Sequence, residues 1–156
     1  MSKSVMGIDP GVRGGLAVLK SNGFILRVQA FRPQMTQKEL VAAVKSGVDA
    51  LRQYGGDACF IEKVGYMPGD GGKGANTFGR IDGLLRGAAL AYGLDVRDVS
   101  PMLWQSRMNC LSGGNKNVTK RRAQELFPYE AKITHAIADA LLIAEYGRRT
   151  LERKII

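Results

Sequence analysis

The chain has 156 residues, 45% hydrophobic and 24% charged, which suits one globular domain over residues 1–156 and excludes a disordered polymer. No apolar run approaches the ~20 residues that cross a bilayer, so a membrane-spanning role is excluded as well. Lys and Arg total 23 against 14 Asp and Glu, a formal charge of +9, so a polyanion such as nucleic acid is the natural partner, the plain alternative being charge that only keeps the protein soluble.

Residues 4–8 read as a short buried strand ending at Asp9-Pro10-Gly11, and the early acid leaves no room for a signal peptide's apolar stretch. Gly14-Gly15 precede a second apolar run at 16–19, and Ser21-Asn22-Gly23 turns the chain into a third at 24–28, an antiparallel meander. From Thr36 the period changes. Leu40, Val41, Val44, Val48 and Leu51 recur at helical spacing, with Thr36 as N-cap and Glu39 three residues on. Residues 58–61 form another buried strand with Glu62 at its far end. Residues 65–74, rich in glycine and carrying Pro68, Asp70 and Lys73, are expected to be a mobile loop, followed by a helix over 78–92. Residues 94–99 alternate as a strand, and Ser100-Pro101 opens a short helix through Trp104. Gly113-Gly114 breaks the chain before a basic helix at about 117–127, and a last helix runs from about 134 to 149. The two cysteines, Cys59 and Cys110, build neither a disulfide scaffold nor a zinc site, so a reducing, cytoplasmic compartment is expected. The order βββαβαβα implies an α/β fold with a mixed five-stranded sheet, three antiparallel strands then parallel ones, flanked by helices.

Acidic residues are scarce, which makes their placement informative. Asp9 and Glu62 each end an otherwise apolar strand, where such folds place function. His135, the only histidine, and Asp139 are four apart on a helix, so their side chains share one face about 5–6 Å apart. Each has an ordinary reading too: Asp9 as a turn former, Glu62 as the partner of Lys63, His135 as a helix-start residue, Asp139 as the partner of Arg148 or Arg149. Taken together they point to a site for Mg²⁺ or Mn²⁺, whose hard oxygen ligands suit chemistry on phosphate, with two ions ~3.5–4 Å apart able to clamp an in-line attack.

Gly7-Ile8-Asp9-Pro10-Gly11, Ile61-Glu62-Lys63-Val64 and the Ala138-Asp139-Ala140 helix resemble, in that order, the three acidic motifs of the RuvC family of Holliday-junction resolvases. Asn76-Thr77-Phe78-Gly79, Val99-Ser100-Pro101 and Gly113-Gly114-Asn115-Lys116 fall where that family has related segments, and the brevity looks like phage or phage-derived members. The resemblance implies an RNase H-like fold and a homodimeric, Mg²⁺-dependent endonuclease of a bacterial or phage-infected cell, nicking opposed strands of four-way DNA junctions. Asp9, Glu62 and Asp139 would be catalytic metal ligands, and His135 a further ligand or a water-activating group. Phe78 would stack on an unpaired base, with its packing role as the alternative, and Lys73, Arg80, Lys116, Lys120, Arg121 and Arg122 would contact DNA. Two departures stand out. His135 lies four residues before Asp139, where the family's residue lies three before, here Ala136. Trp104-Gln105 replaces a frequent Trp-Lys pair, leaving one phosphate contact missing or supplied by Arg107. A broader nuclease for forks and flaps, or a catalytically inactive junction-binding dimer, are the alternative functions.

Overall fold

The structure is a computed structural model that describes residues 3–63, 65, 69 and 71–153. Its elements run β1 (Val5–Asp9), β2 (Gly15–Leu19), β3 (Ile25–Ala30), α1 (Gln37–Gln53), β4 (Ala58–Glu62), α2 (Gly72–Ala91), β5 (Asp95–Val99), α3 (Pro101–Arg107), α4 (Lys116–Leu126) and α5 (His135–Leu151). The five strands form one sheet in the order β3-β2-β1-β4-β5. β2 pairs antiparallel with both β1 and β3, whereas β1–β4 and β4–β5 are parallel.

Strand parity divides the core in two. Alternate side chains of a strand point to opposite faces, so Val5 of β1, Ala17 and Leu19 of β2, and Ala58 and Phe60 of β4 enter a cluster with Trp104, Ala123 and α5. Their neighbours Met6, Ile8, Leu16, Val18, Cys59 and Ile61 face the other way, into a cluster with α1 and with Leu85 and Ala89 of α2. The strands that carry both apolar sets are the buried ones, and all five residues of β1 are buried. Gly7 lies on the α5 side, where a Cβ would collide with the backbone of Ala140 and Ala144. Only glycine lets α5 lie directly against β1 here.

The α1 boundary follows the sequence: Thr36 Oγ1 accepts from the Glu39 N–H at 3.1 Å, and Glu39 Oε2 from the Thr36 N–H at 2.8 Å. Ser100 caps α3 through the Leu103 N–H, with Pro101 at its first turn. The expected loop over 65–74 is shorter than the glycine content suggested. Helix α2 starts at Gly72, and Thr77 Oγ1 donates to the Lys73 carbonyl at 3.0 Å. Glycine disfavours a helix without forbidding it, and propagation from the stronger segment after Ala75 carries the first turn. Val64, Pro68 and Asp70, singled out in the sequence, lie outside the described residues.

Candidate active site

Asp9 and Glu62 meet because of parity and register. Both lie an even number of steps from the α5-facing residues, Asp9 from Val5 and Gly7, Glu62 from Ala58 and Phe60. They also sit one step beyond the Ile8–Ile61 pair of two parallel strands. Two carboxylates therefore stand at the same end of adjacent strands, on the same face. Asp139, on the first turns of α5, completes the group from above the sheet. Asp9 and Asp139 are only 8% and 6% exposed.

The electrostatics record their proximity. Burial, reinforced by Asp139, pushes the Asp9 carboxyl up, against the N–H of Gly11 and the charge of Lys116. Burial and then the charge of Asp9 push Glu62 up to about 7, against a hydrogen bond from Trp104. Lys116 is the cation facing all three: its Nζ lies 3.2 Å from Asp139 Oδ2, and although burial pulls its pKa down, Asp139, Asp9 and Glu62 together raise it. Asp9 also keeps its turn role, since its Oδ1 accepts from the Gly11 N–H at 3.1 Å.

Trp104 is the residue to which sequence reasoning gave no part in the site. It is fully buried, and its Nε1 donates to Glu62 Oε2 at 2.6 Å. A buried indole N–H needs a partner, and that requirement was the available signal. One residue on, Gln105 Oε1 accepts from both the backbone N–H and the hydroxyl of Ser112, at 3.2 and 3.1 Å. Helix α3 thus braces Glu62 and the loop that leads into Lys116.

The remaining expected residues divide. His135 opens α5 with an exposed side chain and forms no hydrogen bond or ion pair among the described residues, so the structure does not bring it into contact with the acids. Arg148 and Arg149 bind Glu145 rather than Asp139. Arg122 is held inside: its Nε donates to the Met108 carbonyl at 2.7 Å and its Nη1 meets Glu125. Arg121 is exposed and Lys120 half-buried on α4, while Lys73 and Arg80 are exposed and Phe78 half-buried on α2. Arg86, held by Asp82 of its own helix, ties α2 to the same end of the sheet through Asp98 and the Glu62 carbonyl. Phe78 comes eight residues before Arg86, roughly 12 Å further along the helix axis, beyond that end.

Among the described residues no three His, Cys, Asp or Glu side chains are drawn close enough to share one metal ion, and the Lys116 ammonium stands on Asp139. The donor chemistry nevertheless fits a hard divalent cation. Asp139 Oδ1 is buried with no hydrogen-bond partner, and three carboxylates share a burial that raises the pKa of two of them. A cation satisfies the orphaned oxygen and offsets the repulsion together.

No protein-family model matches the chain, and no curated protein matches its sequence. Solved structures do match in three dimensions. The RuvC of Thermus thermophilus in complex with a Holliday junction substrate aligns with a TM-score of 0.70 at 23% identity, over 95% of this chain and 94% of that one. A second structure of RuvC from the same organism gives 0.68 at 23% identity, over 97% and 98%. The fowlpox virus resolvase in complex with Holliday junction DNA gives 0.50 at 14% identity, over 94% and 99%. The fold is the RNase H-like fold in its RuvC form, with the five-stranded mixed sheet expected from the sequence. No helix among the described residues is long and apolar enough to cross a membrane.

Proposed function

We propose that the chain is a single-domain, structure-selective DNA endonuclease that resolves four-way junctions by paired, metal-dependent nicks. The observation that carries the reading is the convergence of Asp9, Glu62 and Asp139 at one end of a RuvC-like sheet, with Lys116 facing all three.

Asp9, Glu62 and Asp139 would hold Mg²⁺, or Mn²⁺ in its place, as one or two ions. Bound there, the cation supplies a Lewis acid for the phosphate and a more acidic attacking water. The protein's own groups do the rest. Trp104 fixes the rotamer of Glu62 and favours its ionised form. Lys116, whose side chain is 64% exposed, reaches from Asp139 to a phosphate oxygen and balances charge that builds on it. His135 stands one turn before Asp139 on the exposed helix start, where it can take a proton from water arriving from solvent. Lys120 and Arg121 line α4 for the DNA backbone. Lys73, Arg80 and Phe78 project on α2 beyond the sheet end, placed for a junction centre, with Phe78 stacking on a base there. Arg122 serves the DNA face indirectly, by holding α4 on α3.

Four-way junctions have two opposed strands to cut, and a homodimer supplies one acid cluster for each. The α2 surface around Gly83 and Gly87, with open space above both and Leu90 60% exposed, is our assignment for the second copy. The test is cleavage of a synthetic four-way junction, a replication fork and a linear duplex, each with and without Mg²⁺. Metal-dependent paired nicks in the junction alone establish the resolvase. Cutting of every branched form shifts the function to the broader nuclease, and tight junction binding without cutting in Mg²⁺ or Mn²⁺ makes the protein an inactive junction-binding dimer.

A further inference from the structure

Beside the three acids lies a cleft of about 680 Å³, walled by α3, the loop after it and the start of α4. Glu62, Asp139 and Lys116 form one end. The rest is largely carbon, and its rim carries Met102 and Leu111, 75% and 62% exposed. Exposed apolar side chains gathered at a cleft beside a charged centre mark a surface suited to an apolar ligand face.

Gln105 shares the cleft wall with the hydroxyls of Ser100, Ser112 and Thr119, each already engaged in a hydrogen bond within the protein, and its amide orientation follows from donor chemistry. The Ser112 backbone N–H can only donate, so the Gln105 atom it meets at 3.2 Å is the oxygen. The Ser112 hydroxyl donates to the same oxygen and accepts from the Gly114 N–H at 3.2 Å, which fixes the turn where Gly113 and Gly114 take φ of 57° and 91°. The Gln105 NH₂ is therefore the other end of the amide, and it has no hydrogen-bond partner among the described residues. Apolar walls with two free N–H donors, opening at one end onto a phosphate-handling site, match one chemical object: a flat heterocycle with an acceptor on its edge, attached to a phosphodiester.

We infer that the cleft seats the nucleobase beside the phosphate to be cut, with Met102 and Leu111 on the base and the Gln105 NH₂ donating to its edge. The inference rests on the proposed nuclease function and adds to it a source of cleavage-site preference. A glutamine that used both amide atoms would favour adenine. Here the oxygen is committed to Ser112, so only donation remains. The site prefers a base that presents a keto oxygen over one that presents an amino group at the same edge, by roughly fivefold to tenfold in cutting rate.

The experiment has two readings. Junctions with each base in turn on either side of the nick are cut by the wild type, Gln105→Glu and Gln105→Met. Gln105→Glu keeps an oxygen for Ser112 and exchanges the donors for an acceptor. In parallel, junctions carrying 2-aminopurine at those positions are bound in Ca²⁺ and their fluorescence followed. The expected result is a keto preference in the wild type, reversed in Gln105→Glu and flattened in Gln105→Met, with 2-aminopurine brightening at the same position. A wild type that cuts without base preference, or a ranking unchanged in Gln105→Glu, overturns the base site and leaves the nuclease standing. A wild type that never cuts, yet brightens 2-aminopurine in a way Gln105→Met abolishes, removes the proposed reaction and keeps the base site. Neither cutting nor brightening removes both.

Discussion

Trp104 and Glu62, 42 residues apart, are joined by a 2.6 Å hydrogen bond from an indole N–H to a carboxylate oxygen. The donor comes from the core and the acceptor faces the acid cluster, so the packing of α3 sets the position of a group on the sheet end. Trp104→Phe keeps most of the ring and removes the donor. It should cost about 1–3 kcal/mol of stability and lower single-turnover cutting with little change in junction affinity. The bond from Trp104 lowers the pKa of Glu62, so the acid limb of the pH–rate profile should also move to higher pH. An unmoved limb with a lower rate would reduce Trp104 to packing.

Lys116 is the cation set against all three acids among the described residues. Lys116→Met should slow cutting by roughly a hundredfold, the scale seen when one group stabilising developing charge is lost. Its exposed side chain makes a large change in melting temperature unexpected. Single-turnover rates at saturating enzyme separate this from weakened binding; a rate within a few-fold of wild type would show that Lys116 only neutralises Asp139.

The raised carboxyls give stability a definite pH dependence. Glu62 ordinarily titrates near 4.5 and is pushed up to about 7, and Asp9 is raised in the same sense. Between those values the folded protein holds a proton that the unfolded chain has released, so stability falls as pH rises from about 5 towards 8. Without divalent cations the melting temperature should therefore drop across that window. Mn²⁺ or Mg²⁺ should restore it at pH 8 and do little at pH 5, where protons occupy the site. Cutting should rise with pH as protons leave the acids to the metal. Melting temperatures that ignore both pH and metal would contradict this account.

Two adjacent arginines on α4 should behave differently. Arg121 is exposed, so Arg121→Ala should reduce the salt dependence of junction binding by about one unit of slope and leave stability alone. Arg122 donates to the Met108 carbonyl, so Arg122→Ala should cost about 1–3 kcal/mol through the unpaired acceptor. Urea unfolding and a salt titration of binding, run on both variants, distinguish the roles; equal slopes would put both arginines on the DNA.

The sheet was legible from sequence because its signals are local. Apolar runs, the turn at Ser21-Asn22-Gly23 and the capping box at Thr36 and Glu39 each determine structure within a few residues, and the antiparallel-then-parallel order follows from which runs a helix separates. Asp9, Glu62 and Asp139 were legible too, since each breaks an apolar pattern. Partners were harder, because they depend on rotamers of residues far apart in sequence. The acceptor of Arg148 and Arg149 was an exception, since helical spacing alone tells Glu145 from Asp139, which lies nine and ten residues before them. The choice is made by the helix surface, where Glu145 lies three and four residues before them, and both converge on that carboxylate. Lys116 was read as a phosphate contact, and only the approach of α4 to α5 reveals that it touches Asp139. The start of α2 failed for a different reason: glycine content reports a cost, not a prohibition.

The missing side chain at Gly7 acts as a mechanical gauge. Because β1 and α5 meet backbone to backbone, the offset between them is set by main-chain atoms, which have no rotamers and little compressibility, and not by whichever side chains fill the core. Asp9 lies two residues beyond that stop on the strand, and Asp139 one residue before it on the helix. Core substitutions on either side of the sheet can drift, swell or shrink while the spacing of these two carboxylates stays calibrated. The chain can therefore change most of its interior without retuning its chemistry, and diverge far in sequence on an unchanged frame.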